Sequence, residues 1–298
     1  MSQASGNGGL LGHPGALAAG AAGVCSALLA LWAMRGMPLG GLLLWLTPLP
    51  IFAAAFAFGA RSALIGVAIA SVAVLLSSST VGLLVFLAMF GVPAALISAT
   101  AVQSDRLDLS LPLAVIGLWP VVVLVILDLS IPDLEAEMRQ AVELGVARMG
   151  VALPEGMVDQ IALVKAAAAG FWVALLMIGN GMAAQLLLAR QGLALHPTPR
   201  PEELRLPKWY LPLPLVALAL WLVFGGAVAL SSLLILLVPV FLLGVVGVHR
   251  RLRGRAGRVA FLAGFYVLML LFLQIMAPLM IGVGLFDQYR RHMMPPTT

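Results

Sequence analysis

The chain has 298 residues, 62% of them hydrophobic and 10% charged, with a mean hydropathy of +1.09. Soluble domains carry about 25% charged residues, so this composition calls for lipid as the solvent and excludes an ordinary soluble enzyme. The net charge of +5 stands in short basic clusters between apolar runs, as in membrane loops, and not in the patch that nucleic acid requires.

The stretch Met1 to His13 is small and polar and has no Lys or Arg, unlike the basic start of a secretory signal. The first apolar run, Pro14 to Met34, is long enough to span and reads as a retained helix. A second run covers Pro38 to Gly59, and a third begins after Arg61 and ends in Ser77-Ser78-Ser79. The fourth runs from Thr80 to Val102, before the charged turn Asp105-Arg106-Leu107-Asp108, and the fifth from Leu111 to Ile131. Residues 132–160 follow as a loop in which Leu134, Met138, Val142, Val146 and Met149 recur about once per turn among Glu135, Glu137, Arg139 and Glu143. That pattern predicts an amphipathic helix on the outer membrane surface, N-capped by Asp133.

The sixth apolar run is Ile161 to Ala189, closed by Arg190. A Pro- and Arg-rich connection leads to Lys208-Trp209-Tyr210, residues suited to the headgroup level. Leu211 to Val248 reads as a hairpin of two spans turning at Ser231-Ser232, and Val259 to Leu285 as a ninth span. Because an open strand in lipid leaves backbone groups unsatisfied, each span is a helix. The expected architecture is an all-α polytopic transmembrane bundle of about eight or nine spans forming one integral membrane domain. It divides into N-terminal helices over 13–131, the loop over 132–160, and C-terminal helices over 161–285.

Orientation follows from Lys and Arg. Arg190, Arg200, Arg205 and Lys208 mark one cytoplasmic loop, and Arg250, Arg251, Arg253, Arg255 and Arg258 another. Alternation then places Arg61, Arg106 and the N-terminus inside. Arg290 and Arg291, after a ninth span, fall outside; either that tail breaks the rule or the count is off by one. The five arginines from Arg250 to Arg258 would also attract anionic lipid headgroups.

No HExxH zinc pattern, GxSxG elbow or Walker lysine loop is present. His13, His196, His249 and His292 all sit in tails, loops or helix ends, and Cys25 lies in an apolar run, so the sequence offers no catalytic set, metal site or cofactor motif. What remains are ionisable and polar groups within spans, which are functional candidates. Asp128 and Lys165 stand near the outer ends of the fifth and sixth runs, where they either pair or snorkel separately. Asn180 and Gln185 lie deeper, and with Lys165 and Trp172 they make one face of the sixth run polar and aromatic. That face either lines a pocket or hydrogen-bonds to a neighbouring helix. Trp119-Pro120 interrupts the fifth run, as Pro93 and Pro278 interrupt the fourth and ninth. On the first run, Gly15, Ala19, Gly23 and Ala27 form a small-residue stripe that either packs internally or docks a partner membrane subunit.

Three segments resemble the YybS-like family of bacterial membrane proteins: Arg205-Leu206-Pro207-Lys208-Trp209, Gly244-Val245-Val246-Gly247-Val248-His249, and Gly284-Leu285-Phe286-Asp287-Gln288-Tyr289. The N-terminal half is similar in character to the substrate-binding S-components of energy-coupling-factor transporters, through the small-residue stripe and the Pro48 to Pro50 segment leading to Gly59-Ala60-Arg61. The polar face of the sixth run, the surface loop beside it and the small-residue stripe point to a non-enzymatic, S-component-like small-molecule binding or transport subunit of a bacterial plasma membrane. A structural scaffold acting through its basic loops is the alternative.

Overall fold

A computed structural model describes residues 13–200 and 204–293, with side chains as far as residue 290. The polar stretch before His13 and the side chain of Arg291 lie outside the described residues. Among them the fold is all-helical, and seven helices are long and apolar enough to cross a membrane. The chain forms two compact units: residues 1–108 with 175–199, and residues 109–174 with 200–298.

In the first unit, α1 (Pro14–Met34) packs along α4 (Ala60–Ser77). The contact is backbone to backbone. A methyl group added at Gly23 would stand 2.5 Å from the Gly66 carbonyl oxygen, and one added at Gly66 would stand 3.2 Å from that of Ala19. Ala19, Gly23 and Ala27 are buried, so α4 of the same chain occupies the small-residue stripe. With no hydrophobic drive between helices in lipid, close dispersion contact of this kind holds them together.

The second apolar run is two helices, α2 (Gly40–Trp45) and α3 (Leu49–Phe58). Pro48 and Pro50 lack the N–H groups that would continue the ladder, so the chain loosens over Leu46–Pro48. Neighbouring helices answer the loosened backbone: the Ser26 hydroxyl donates to the Thr47 carbonyl at 2.8 Å. The fourth run is α5 (Thr80–Phe86), a π turn (Leu87–Gly91) and α6 (Val92–Ala101). The wide turn sits directly before Pro93, which cannot bond back to Met89.

In the second unit, α7 (Ser110–Ser130) carries Pro120 in its interior. It is followed by α8 (Leu134–Met149), whose Asp133 carboxylate accepts from the Ala136 N–H at 3.1 Å. Leu134 and Met138 of α8 are buried with Leu124, Ala167, Ala227 and Ile235, whereas Met149 is exposed. The long helix α9 (Met157–Gln191, 35 residues) contributes residues to both units.

The turn expected at Ser231-Ser232 falls instead at Gly225-Gly226, between α10 (Pro212–Phe224) and α11 (Ala227–Arg251). Both glycines combine positive φ with extended ψ (67°, −151° and 82°, 161°), a region that essentially only glycine enters. Ser231 is buried inside α11 and donates to the Leu163 carbonyl at 3.3 Å. A hydroxyl that can bond to a carbonyl is no turn signal within lipid, whereas a Gly-Gly pair is.

The run Val259 to Leu285 is not one helix. It breaks at Phe272 (φ −127°, ψ 42°) into α12 (Arg258–Leu271) and α13 (Leu273–Met293). Asp287 of α13 bonds to Arg250 and Arg251 at the end of α11, so the chain leaves that end at Arg258 and returns to it. At 1.5 Å per residue α12 is roughly 20 Å long, short of the ~30 Å hydrocarbon core, and α13 covers about the same distance from Leu273 to Asp287. Arg290 therefore lies at the same end of the unit as Arg250 to Arg258, and its conflict with the charge rule disappears.

Candidate functional site

The residues singled out in the sequence fall in different places. In the second unit, Lys165 reaches from α9 to the Met138 carbonyl of α8 at 3.5 Å. Asp128 is exposed at the end of α7, and no ion pair joins it to Lys165. Trp119 is half-buried on α7, and Trp172 is 52% exposed on α9.

In the first unit, Asn180 and Gln185 are both buried and both tie loosened backbone. The Asn180 amide nitrogen donates to the Trp45 carbonyl at 2.7 Å and to Leu176 at 2.8 Å, taking up the end of α2. That of Gln185 donates to the His196 carbonyl at 2.9 Å and to the Thr198 hydroxyl at 3.4 Å. Each amide leaves its oxygen buried without a partner, as are the Thr47 hydroxyl and the His196 Nε2. A buried polar atom left unbonded costs about 1–3 kcal/mol, so these oxygens are open acceptors.

Beside Gln185 lies the cavity that the sequence did not announce, an open groove of about 650 Å³ within the first unit. Ala18, Ala21 and Cys25 of α1 form one wall, and Ala53 and Ala57 of α3 the other. Leu188 of α9 and the turn over 192–195 close one end, where the Leu195 N–H donates to the Phe56 carbonyl at 2.8 Å. Gln185 stands one turn before Leu188 on α9, but it does not line the groove and its amide oxygen is buried. The groove exists because its walls are alanine: side chains of one carbon leave two helices apart where leucine would fill the space. The signal was present in the sequence as Ala18-Ala21-Cys25 and Ala53-Ala57, beside the stripe that packs on α4.

No family model, curated protein or solved structure matches this chain. The site therefore rests on its own geometry.

A second polar centre joins α11, α13 and the segment before α10. Asp287, 6% exposed, accepts from Arg250 at 2.8 Å and from Arg251 at 2.6 and 3.1 Å. The neighbouring Gln288 side chain donates to the Leu206 carbonyl at 2.6 Å and accepts from the Leu206 N–H at 3.4 Å. Gly244 and Gly284 bring the helices together there: a Cβ at Gly244 would overlap the Met280 carbonyl, and one at Gly284 that of Val240. All three segments quoted for the YybS-like resemblance meet at this point. The cavity between Leu204, Gly284 and Gln288 measures only about 10 Å³, room for one water, so this centre is a joint and not a ligand pocket. Of the five clustered arginines, Arg250 and Arg251 bond to Asp287; Arg253 and Arg255 are exposed in the turn after α11, and Arg258 is exposed at the start of α12. Among the described residues no three His, Cys, Asp or Glu side chains come together as a metal site would need.

Proposed function

We propose that this protein is a membrane-embedded subunit that binds a small molecule in the groove of its first unit and works with partner proteins to carry it. The groove supports this reading: its 650 Å³ falls within the roughly 300–1,000 Å³ of small-molecule sites. The chain has no nucleotide-binding loop, so an ATP-driven step belongs to a separate subunit. Kinship with the YybS-like family, the likeness to S-components and a bacterial plasma membrane with the arginine-rich ends in the cytoplasm belong to the same proposal.

The test is mass spectrometry of the protein gently extracted from its native membrane, beside Ala57→Trp and Ala21→Phe, which fill the groove from opposite walls. The expected result is a molecule enriched over its share of the membrane with the native chain and lost from both variants. Co-purification of proteins alone, or equal retention by filled and open grooves, would overturn the reading in favour of a scaffold. The scaffold has its own support in α12, an apolar helix with no buried residue next to the exposed arginine turn.

A further inference from the structure

The second unit carries opposite charge at the two ends of α11. At its start, the Glu135 carboxylate of α8 accepts from the Ala227 N–H, and Leu124, Leu134 and Ala227 are buried together. Every described acid of this unit except Asp287 falls in residues 128–159, which hold the end of α7, α8 and the start of α9. From Ala227 to Arg251 the helix runs 25 residues, roughly 37 Å at 1.5 Å per residue.

Three separate segments meet at the far end, and hydrogen bonds hold them together. Gln288 bonds to the N–H and the carbonyl of Leu206, so Arg205, Lys208 and Arg290 each stand within two residues of that contact. Asp287, the next residue on α13, bonds to Arg250 and Arg251 of α11. The chain then turns tightly, the Arg253 N–H donating to the Arg250 carbonyl at 3.2 Å and that of Arg258 to the Arg255 carbonyl at 3.3 Å. Arg205, Lys208, Arg253, Arg255, Arg258 and Arg290 are all exposed. Asp287 is the one described acid at this end; Glu202 and Glu203 lie outside the described residues, and even with them three carboxylates face eight Lys and Arg side chains.

The neighbours of these cations select the partner. The Tyr266 hydroxyl of α12 lies 2.7 Å from His249 Nε2, so α12 runs beside the end of α11. It has no buried residue, and Val259 and Phe261, directly after Arg258, are 82% and 64% exposed. Trp209, beside Lys208, is exposed as well. Cations and apolar side chains thus share one level, as they do at the boundary between headgroups and acyl chains. A soluble acidic partner would leave the apolar surface uncovered, whereas an anionic phospholipid covers both, its phosphate on the guanidinium groups and its tails along α12. We infer that the basic end of the second unit is a binding face for anionic phospholipid, built jointly by the segment before α10 and the turn after α11. The groove belongs to the first unit and this face to the second, so either can fail without the other.

The purified protein is placed in detergent micelles with equal phosphatidylglycerol and phosphatidylcholine, and bound lipid is counted by native mass spectrometry. Phosphatidylglycerol is expected to dominate, with affinity falling about fivefold for each cation removed. Arg205→Gln with Lys208→Gln should then weaken it about thirtyfold, and Arg253→Gln, Arg255→Gln and Arg258→Gln together about 150-fold. Arg148→Gln, exposed on α8 at the acidic end, should change nothing. Equal occupancy by the two lipids, or an equal loss from Arg148→Gln, would overturn the face. A loss in the triple variant alone would overturn its joint construction from two segments. Release of phosphatidylglycerol by an equal concentration of glycerol phosphate would assign the cations to a soluble phosphate and overturn the lipid.

Discussion

Asp287 is the residue whose surroundings are most demanding. Its carboxylate is buried between α11 and α13 and balances two guanidinium groups that are themselves 30% and 45% exposed. Removing one partner of a buried pair costs about 3–5 kcal/mol, but exposure of the arginines lets water take over part of that role. Asp287→Asn should therefore lower stability by about 2 kcal/mol, read as a fall in the detergent unfolding midpoint, and a cycle with Arg251→Gln should show coupling between the two changes. Additive effects in that cycle would mean that the pair contributes nothing as a pair. Asn180 illustrates the opposite situation. In the sequence it was a pocket residue or an interhelical bond, and its amide does hold the Trp45 carbonyl; its open oxygen faces no described partner.

At the scale of elements, glycine decides which helices touch. Gly20 and Gly23 are neighbours on α1, yet a Cβ at Gly20 meets nothing within 4 Å while one at Gly23 meets the Gly66 carbonyl. Gly23→Leu should destabilise by about 1–3 kcal/mol through overpacking, and Gly20→Leu should leave the unfolding midpoint almost unchanged. Equal effects would mean that α1 and α4 do not cross here. How much of this could be read beforehand differs from element to element. The run Pro14 to Met34 is legible residue for residue, because a lipid-facing helix must be apolar for its whole length and Arg35 ends it. The amphipathic helix after Asp133 is legible for the same kind of reason: its period and cap are local. The Gly225-Gly226 turn was present in the sequence but outweighed by the more polar Ser231-Ser232 pair. The groove was not legible, since an alanine row looks identical whether it packs on a neighbour or leaves a space.

For the whole molecule, the consequential difference is the path of the last forty or so residues. Apolar length alone makes Val259 to Leu285 a span, and only the meeting of Gly244 with Gly284 and of Asp287 with two arginines shows the chain turning back. These are contacts between residues far apart in sequence, invisible to a window that counts hydropathy. Cysteines placed at Arg255 and at Arg290, in a Cys25→Ser background, should react with a membrane-impermeant thiol reagent from the same side of sealed vesicles. Labelling from opposite sides would restore a ninth crossing.

The returning arm also bears on how the chain enters the bilayer during synthesis. A segment that crosses once must carry its far-side charges through hydrocarbon, at about 2.5–3.5 kcal/mol for each Arg or Asp at the centre. On a path that goes in and comes out at one face, Asp287 and Arg290 are spared that passage. The C-terminal arm can be inserted late, as an uncharged loop of helix, after α11 has already presented the glycines and arginines that receive it.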